Sequence, residues 1–352
     1  VTAAYSNLMH PEDAAFAREM LPLVSRTFAP AIDILPEDLA EPVRLAYLIC
    51  RVADTIEDAI GIPAGTRRDW LVHFAVLLRA EPETDRPASR LSQEISAALS
   101  ASSAETRLLE ELPRLVRLLR DTEPGRRRVV EKWSCELSLG MARFLRLEET
   151  TAGRWTALAT IGDLEAYEYY VAGTVGSMLH ELIAASLPEW TDALDARPLA
   201  VSFGLGLQGV NIIQDMSVDR ARGWSYIPEE IAARHGTQTQ RLHLPEERDA
   251  AMALVCEMAE RAALHLDAGF EFVLALPRRA PRVRLFCLWP LLLALRTLGR
   301  LVSSDEVLRA RVRITREEVR ELTREAIGAC LSSSALGRLY KRERRRAGGG
   351  TG

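Results

Sequence analysis

Apolar residues recur at helical spacing along almost the whole chain, and no stretch alternates at period two between turn signals. A chain patterned this way packs helices on helices, because it lacks the one-sided strands from which a sheet is built. The spacing predicts helices over 11–28, 36–58, 67–80, 89–100, 104–120, 126–147, 163–186, 198–219, 245–276, 282–302, 315–331 and 333–346. Pro, Gly, Ser and Asp cluster at 81–89 and 121–126 and mark breaks. There is no repeat of fixed period, and no linker is long enough to separate a second domain from the first. One all-α domain is therefore expected over 1–340, followed by an unstructured basic and Gly-rich tail over 341–352.

Two of these helices carry acids in an unusual setting. On the first, Tyr47, Arg51, Asp54 and Asp58 share one stripe, with Glu57 three residues after Asp54. On the second, Gln208, Asn211, Asp215 and Asp219 form a stripe bordered by Val210, Ile212, Ile213, Met216 and Val218. A solvated helix end is the competing reading of the first cluster, but Leu48-Ile49-Cys50 and Ile56 bracket it. A polar stripe on an otherwise apolar helix usually lines a cavity. Two such walls can bring four aspartates together, and aspartates that repel are relieved by a divalent cation. Oxygen ligands without His or Cys suit Mg²⁺, which keeps waters and bridges to phosphates.

Charge narrows the partners. Lys+Arg number 45 against Asp+Glu 49, so no global field favours nucleic acid or an anionic membrane. Only Lys132 and Lys341 are lysines, the bias of a GC-rich, bacterial genome, and arginine is the better fork for phosphate. The five cysteines (Cys50, Cys135, Cys256, Cys287 and Cys330) form no CxxC pair and read as free thiols of a reducing compartment. No export signal is legible. The strongly apolar run Leu285 to Leu295 is about half of what spans a bilayer, and Pro290 interrupts it. A cytoplasmic protein is expected, with peripheral membrane contact left open.

The runs Asp54-Thr55-Ile56-Glu57-Asp58 and Asn211-Ile212-Ile213-Gln214-Asp215-Met216-Ser217-Val218-Asp219 resemble the two aspartate-rich motifs of the squalene/phytoene synthase family. Other stretches agree in order: Ser25-Arg26-Thr27-Phe28 with Leu35-Pro36, Tyr167 to Gly176, Ser225-Tyr226-Ile227-Pro228, and Arg284 to Pro290 with its Phe286-Cys287 pair. The resemblance covers about 20–320. It implies a single-domain isoprenoid synthase helical bundle with a central apolar cavity. It implies further that Asp54, Asp58, Asp215 and Asp219 bind Mg²⁺ with Glu57 in support, and that Arg26 and Arg51 hold diphosphate with Ser25 and Tyr47 assisting. Thr27, Phe28, Tyr170, Arg222 and Tyr226 would join the substrate contacts, Gln208 and Asn211 would line the pocket, and Phe286 and Cys287 the apolar channel. Tyr167 would act on a proton or a cation. Arg313 and Arg316 resemble the basic segment associated with NADPH in squalene synthases, although a charge run at a helix start is also an ordinary solvated face.

The implied reaction joins two farnesyl diphosphates head to head through presqualene diphosphate, giving squalene with NADPH or dehydrosqualene without it. Phytoene synthesis, a class I terpene cyclase working on one prenyl diphosphate, and a silent homologue acting in assembly or lipid binding are the alternatives. Three departures bear on the choice: Gln214 stands where arginine is common, Val218 where the motif has Glu, and Trp224 where the flap has Arg, with Arg220 and Arg222 nearby. Ala172, Gly173 and Gly176 make a shallow helix face for a long chain or a neighbouring helix. His180 is expected to be a core histidine.

Overall fold

The structure is a computed structural model and describes residues 10–25, 28–80, 84–99, 103–151, 154–190 and 193–348. Helices are α1 (Pro11–Val24), α2 (Phe28–Ile34), α3 (Glu37–Glu57), α4 (Ala64–Arg79), α5 (Arg86–Ala98), α6 (Ala104–Glu110), α7 (Leu112–Asp121) and α8 (Pro124–Thr151). Then follow α9 (Ile161–Glu168), a π-helical turn (Tyr169–Gly173), α10 (Thr174–Ser186), α11 (Ala193–Ala221), α12 (Glu229–Arg234), α13 (Arg248–Ala275), α14 (Pro281–Ser303), α15 (Arg316–Ala329) and α16 (Ser333–Ala347). The all-α expectation holds, with one addition. Strands β1 (Thr156–Ala157) and β2 (Trp224–Ser225) pair in parallel, Thr156 opposite Trp224, a ladder too short to leave any alternation in the sequence.

The described residues cluster in two compact units, one of 1–150 with 177–189, the other of 151–176 with 190–352. In the first unit, Leu48, Val52, Ile56, Leu71, Phe74, Ile95, Leu108 and Leu112 are essentially removed from water. Each such side chain adds about 1.5–3 kcal/mol of burial to the unit. Asp13 is also buried, and Arg117 explains it: its Nε and Nη2 donate to the carboxylate at 2.8 and 3.1 Å, while Nη1 reaches Asp85 at 2.6 Å. The helix expected over 104–120 breaks at Glu111, because Pro113 sits in the first turn of α7 and has no N–H to continue α6. Helix α1 stops at Val24 rather than running to Phe28, since Ser25 turns extended at φ −151°.

The second unit is built on α11, α13 and α14. Small residues let their backbones approach: a Cβ on Gly206 would meet Leu266 at 2.9 Å, and one on Gly269 would meet Phe203 at 2.7 Å. Pro290 does not end the apolar run, and α14 continues through it to Ser303. That helix is long and apolar enough to cross a membrane, yet 78% of its apolar window is buried inside the protein, as for a core helix. The tail expected to be unstructured from Lys341 is helical as far as Ala347. Arg344 binds Glu260 and Asp267 at 2.6 and 3.1 Å, and Arg296 of α14 holds the fully buried Glu343 at 2.7 Å, so α16 is pinned along its length.

Candidate functional site

The first acidic motif occupies the last turns of α3. Leu48, Ile49, Val52, Ala53 and Ile56 face the core, which leaves Tyr47, Arg51 and Asp54 on the half-exposed stripe. Asp58 lies one residue past the helix, exposed, with its N–H donated to the Asp54 carbonyl at 2.9 Å. Arg51 Nη2 donates to Val24 O at 3.2 Å and to Tyr47 Oη at 3.4 Å, and its Nη1 stands 3.7 Å from Asp54. Burial pushes the Asp54 carboxyl up to about 6; Arg51 opposes this and Asp58 adds to it, although 41% of the side chain still meets solvent. Burial likewise raises the Tyr47 phenol. Ser25 is buried, accepts from the Phe28 N–H at 3.1 Å, and the Phe28 ring lies 5.7 Å from Tyr47. Arg26 and Thr27 lie outside the described residues.

Glu57 departs from the stripe and is buried. The end of α3 is held by an arginine that the sequence pattern does not single out. Arg67, itself buried, donates to the Glu57 carbonyl, to Ile62 O at 3.0 Å and to Glu148. A buried arginine in α4 carries no periodic signal that separates it from a solvated one.

The second motif runs along α11. Val210, Ile212 and Ile213 are buried, while Asn211 is exposed beside Gln208, their amides 3.5 Å apart. Asp219 is 9% exposed. Asp215 meets Arg311 Nε at 2.6 Å. One residue away, Gln214 donates to the Val312 carbonyl at 2.5 Å. The departure at Gln214 thus has a structural use, and Val218 is exposed. Arg222 is exposed beyond the helix end, where Gly223 adopts φ +79° to turn the chain into β2.

Tyr167 is buried and stacks on Tyr226 at 4.3 Å, which stacks in turn on Trp224 at 5.1 Å. Asp219, Trp224 and Tyr226 line a cavity of about 20 Å³, room for one water. Tyr170 lies in the π-helical turn, edge-on to Tyr169 at 5.5 Å. Such turns recur where a helix is adapted to a site. The shallow face of Ala172, Gly173 and Gly176 is filled by α11: a Cβ on Gly176 would collide with Ala200 O, and one on Gly204 with Ala172 O. His180 is buried, as a core histidine should be. Phe286 and Cys287 are buried in α14, where burial pushes the Cys287 thiol up to about 12. Arg313 and Arg316 are exposed, and no ion pair among the described residues engages them.

Do these donors suit a cation? Among the described residues no three His, Cys, Asp or Glu side chains form a closed cage. Each motif instead offers two aspartates on one helix stripe, which leaves most coordination positions to water and phosphate oxygens. That is the habit of Mg²⁺, and each motif already carries an arginine at its first aspartate. The donors fit as open half-sites. Arg313 and Arg316 are exposed, a setting open to a phosphate group but shared by any solvated face.

The family model "Squalene/phytoene synthase" matches residues 21–318, and the chain belongs to that family. It is 27% identical over 304 residues to the squalene synthase of Schizosaccharomyces pombe and 28% identical over 304 residues to that of Rattus norvegicus, covering 86% of this chain in both. The alignment spans 63% of the first of these relatives and 67% of the second. Among solved structures, TcSQS in complex with the ligand BPH1237 aligns at TM-score 0.76 and 23% identity over 96% of this chain and 98% of that one. A dehydrosqualene synthase in complex with ligand aligns at TM-score 0.61 and 19% identity, over 90% and 96% of the two chains. These likenesses establish the fold.

Proposed function

We propose that this chain condenses two farnesyl diphosphates head to head through presqualene diphosphate to squalene. The observation that carries the reading is the presence, in a chain of this family, of two separate helix stripes with two aspartates each. Asp54 and Asp58 would hold Mg²⁺ at one motif, and Asp215 and Asp219 at the other; Glu57, buried off the stripe, would serve only the turn that carries Asp58. Mg²⁺, when bound, neutralises the departing diphosphate so that an allylic C–O bond can ionise, and NADPH, when bound, supplies the hydride that ends the second half-reaction.

The chain's own residues do the rest. Arg51, with Tyr47 and Ser25, holds diphosphate oxygens, as Arg26 does from its place outside the described residues; Thr27 and Phe28 are further substrate contacts at the first motif, and Arg222 at the second. Gln208 and Asn211 line the reacting pocket. A phenol with an ordinary pKa near 10 is a poor base at neutral pH, so the departing diphosphate takes the proton. Tyr167, stacked on Tyr226, presents its ring to the developing cation, with Tyr170 beside it. Phe286 and Cys287 wall the prenyl chains, and burial, which pushes the thiol up to about 12, keeps a thiolate out of that wall. Arg313 and Arg316 hold the phosphates of NADPH. A greasy C30 product calls for release into lipid, so we place the enzyme in the cytoplasm with peripheral membrane contact.

The test is incubation with farnesyl diphosphate and Mg²⁺, with and without NADPH, followed by mass spectrometry. Squalene formed only with NADPH supports the full reading. Dehydrosqualene or presqualene diphosphate under both conditions keeps the condensation and removes the reductive step; a C15 hydrocarbon contradicts both.

A further inference from the structure

The loop between Leu308 and α15 reaches back to the second motif at two adjacent points. Arg311 Nε lies 2.6 Å from Asp215 Oδ1, and the neighbouring Val312 carbonyl accepts from Gln214 Nε2 at 2.5 Å. Val312 is 8% exposed and anchors the loop, while the Arg311 side chain is 40% exposed. The arginine is thus delivered by an anchored backbone but keeps water on its outer side, a setting that allows it to let go.

The geometry points to Arg311 as the resident counter-cation of Asp215, a positioning residue that occupies the metal's place in the free enzyme and yields it when Mg²⁺-diphosphate binds. The inference rests on Asp215 and Asp219 being the metal ligands. An arginine and a divalent cation both neutralise the same carboxylate, so each raises the free energy of the other's binding there. Once displaced, Arg311 remains tethered next to the motif by Gln214, with a guanidinium fork suited to a diphosphate oxygen. The pair is partly exposed, 40% at Arg311 and 26% at Asp215, so the arginine raises the cation concentration at which the motif fills without blocking it.

Mn²⁺ binding to the substrate-free enzyme, read by electron paramagnetic resonance with thermal melting as the folding control, tests this. Arg311→Gln is expected to bind Mn²⁺ roughly 2- to 5-fold more tightly. Arg311→Lys, which keeps the charge, is expected to return toward wild type. Gln214→Leu frees the loop without removing the arginine and shifts affinity in the same direction by less; it carries the test if Arg311→Gln does not fold. Unchanged or weaker Mn²⁺ binding in Arg311→Gln, with Asp215→Asn weakening it, overturns the role of Arg311 and leaves the metal assignment standing. Unchanged binding in Asp215→Asn overturns the assignment itself and the inference with it.

Discussion

The two acidic motifs share a pattern of side chains but not a way of being held. The first sits where α3 ends, and its arginine comes from the preceding turn of the same helix, 3.7 Å from Asp54. The second lies within the longer α11, nearly buried at Asp219, and its arginine comes from a distant loop at 2.6 Å. A local counter-charge travels with its helix and stays close whatever the rest of the unit does. A counter-charge on a loop can be set aside. The counter-charge of the first motif is fixed to its own helix, while that of the second is carried by a loop, and the role inferred for Arg311 follows from this difference.

The largest expected effects test whether both motifs do the same chemistry. Asp58→Asn and Asp215→Asn should each cut condensation by about 100-fold or more, the scale of removing transition-state charge stabilisation. Product formation by Asp215→Asn at a wild-type rate would break the comparison by leaving the second motif without a metal role. A structural effect confined to the second unit comes next. Gly176→Ala drives a methyl into Ala200 O, and such overpacking costs about 1–3 kcal/mol, which a denaturant midpoint will register. An unchanged midpoint would show that the contact between Gly176 and α11 yields freely.

Acid should separate the motifs by charge. A neutral Asp54 cannot ligate, so Mn²⁺ affinity of the wild type should decline as pH falls through about 6, and Asp54→Asn should lack that step. Persistence of the step in Asp54→Asn would assign it to another carboxylate. The last test reads stability rather than catalysis and concerns Glu168, buried in the helix that feeds Tyr167 and pushed up to about 8 by burial; Arg261 opposes that push and Glu165 adds to it. Its neutral form is favoured in the fold, so its stabilisation is full below the ordinary carboxylate value. It then declines as pH rises, by at most about 1.4 kcal/mol per unit, until pH passes about 8. Glu168→Gln should flatten stability between pH 5 and 8, seen as a melting temperature that no longer falls across that range. A wild type whose melting temperature is already flat there would remove Glu168 from the account.

Both stripes are legible in the sequence because the helical period lines up 47, 51, 54 and 58, and 208, 211, 215 and 219, wherever the helices end up. The break at Glu111 is not, although Pro113 stands in view, since apolar spacing continues across it. Arg67, Arg311 and the stack of Tyr167, Tyr226 and Trp224 escape for a different reason. Each depends on residues brought together by tertiary packing, and nothing in local spacing distinguishes Arg311 from Arg313 or Arg316. Glu57 looks like a member of the stripe at three residues from Asp54, but the helix twist carries it inward, where the Arg67 anchor closes the turn.

The central claim is that two prenyl diphosphates become one product on this chain, and isotopes count them directly. The enzyme would be given an equal mixture of unlabelled and fully ¹³C-labelled farnesyl diphosphate with Mg²⁺ and NADPH, and the hydrocarbon weighed by mass spectrometry. The account predicts a C30 product in light, mixed and heavy forms, the mixed form dominant. A product that is only wholly light or wholly heavy, at C15, would contradict it.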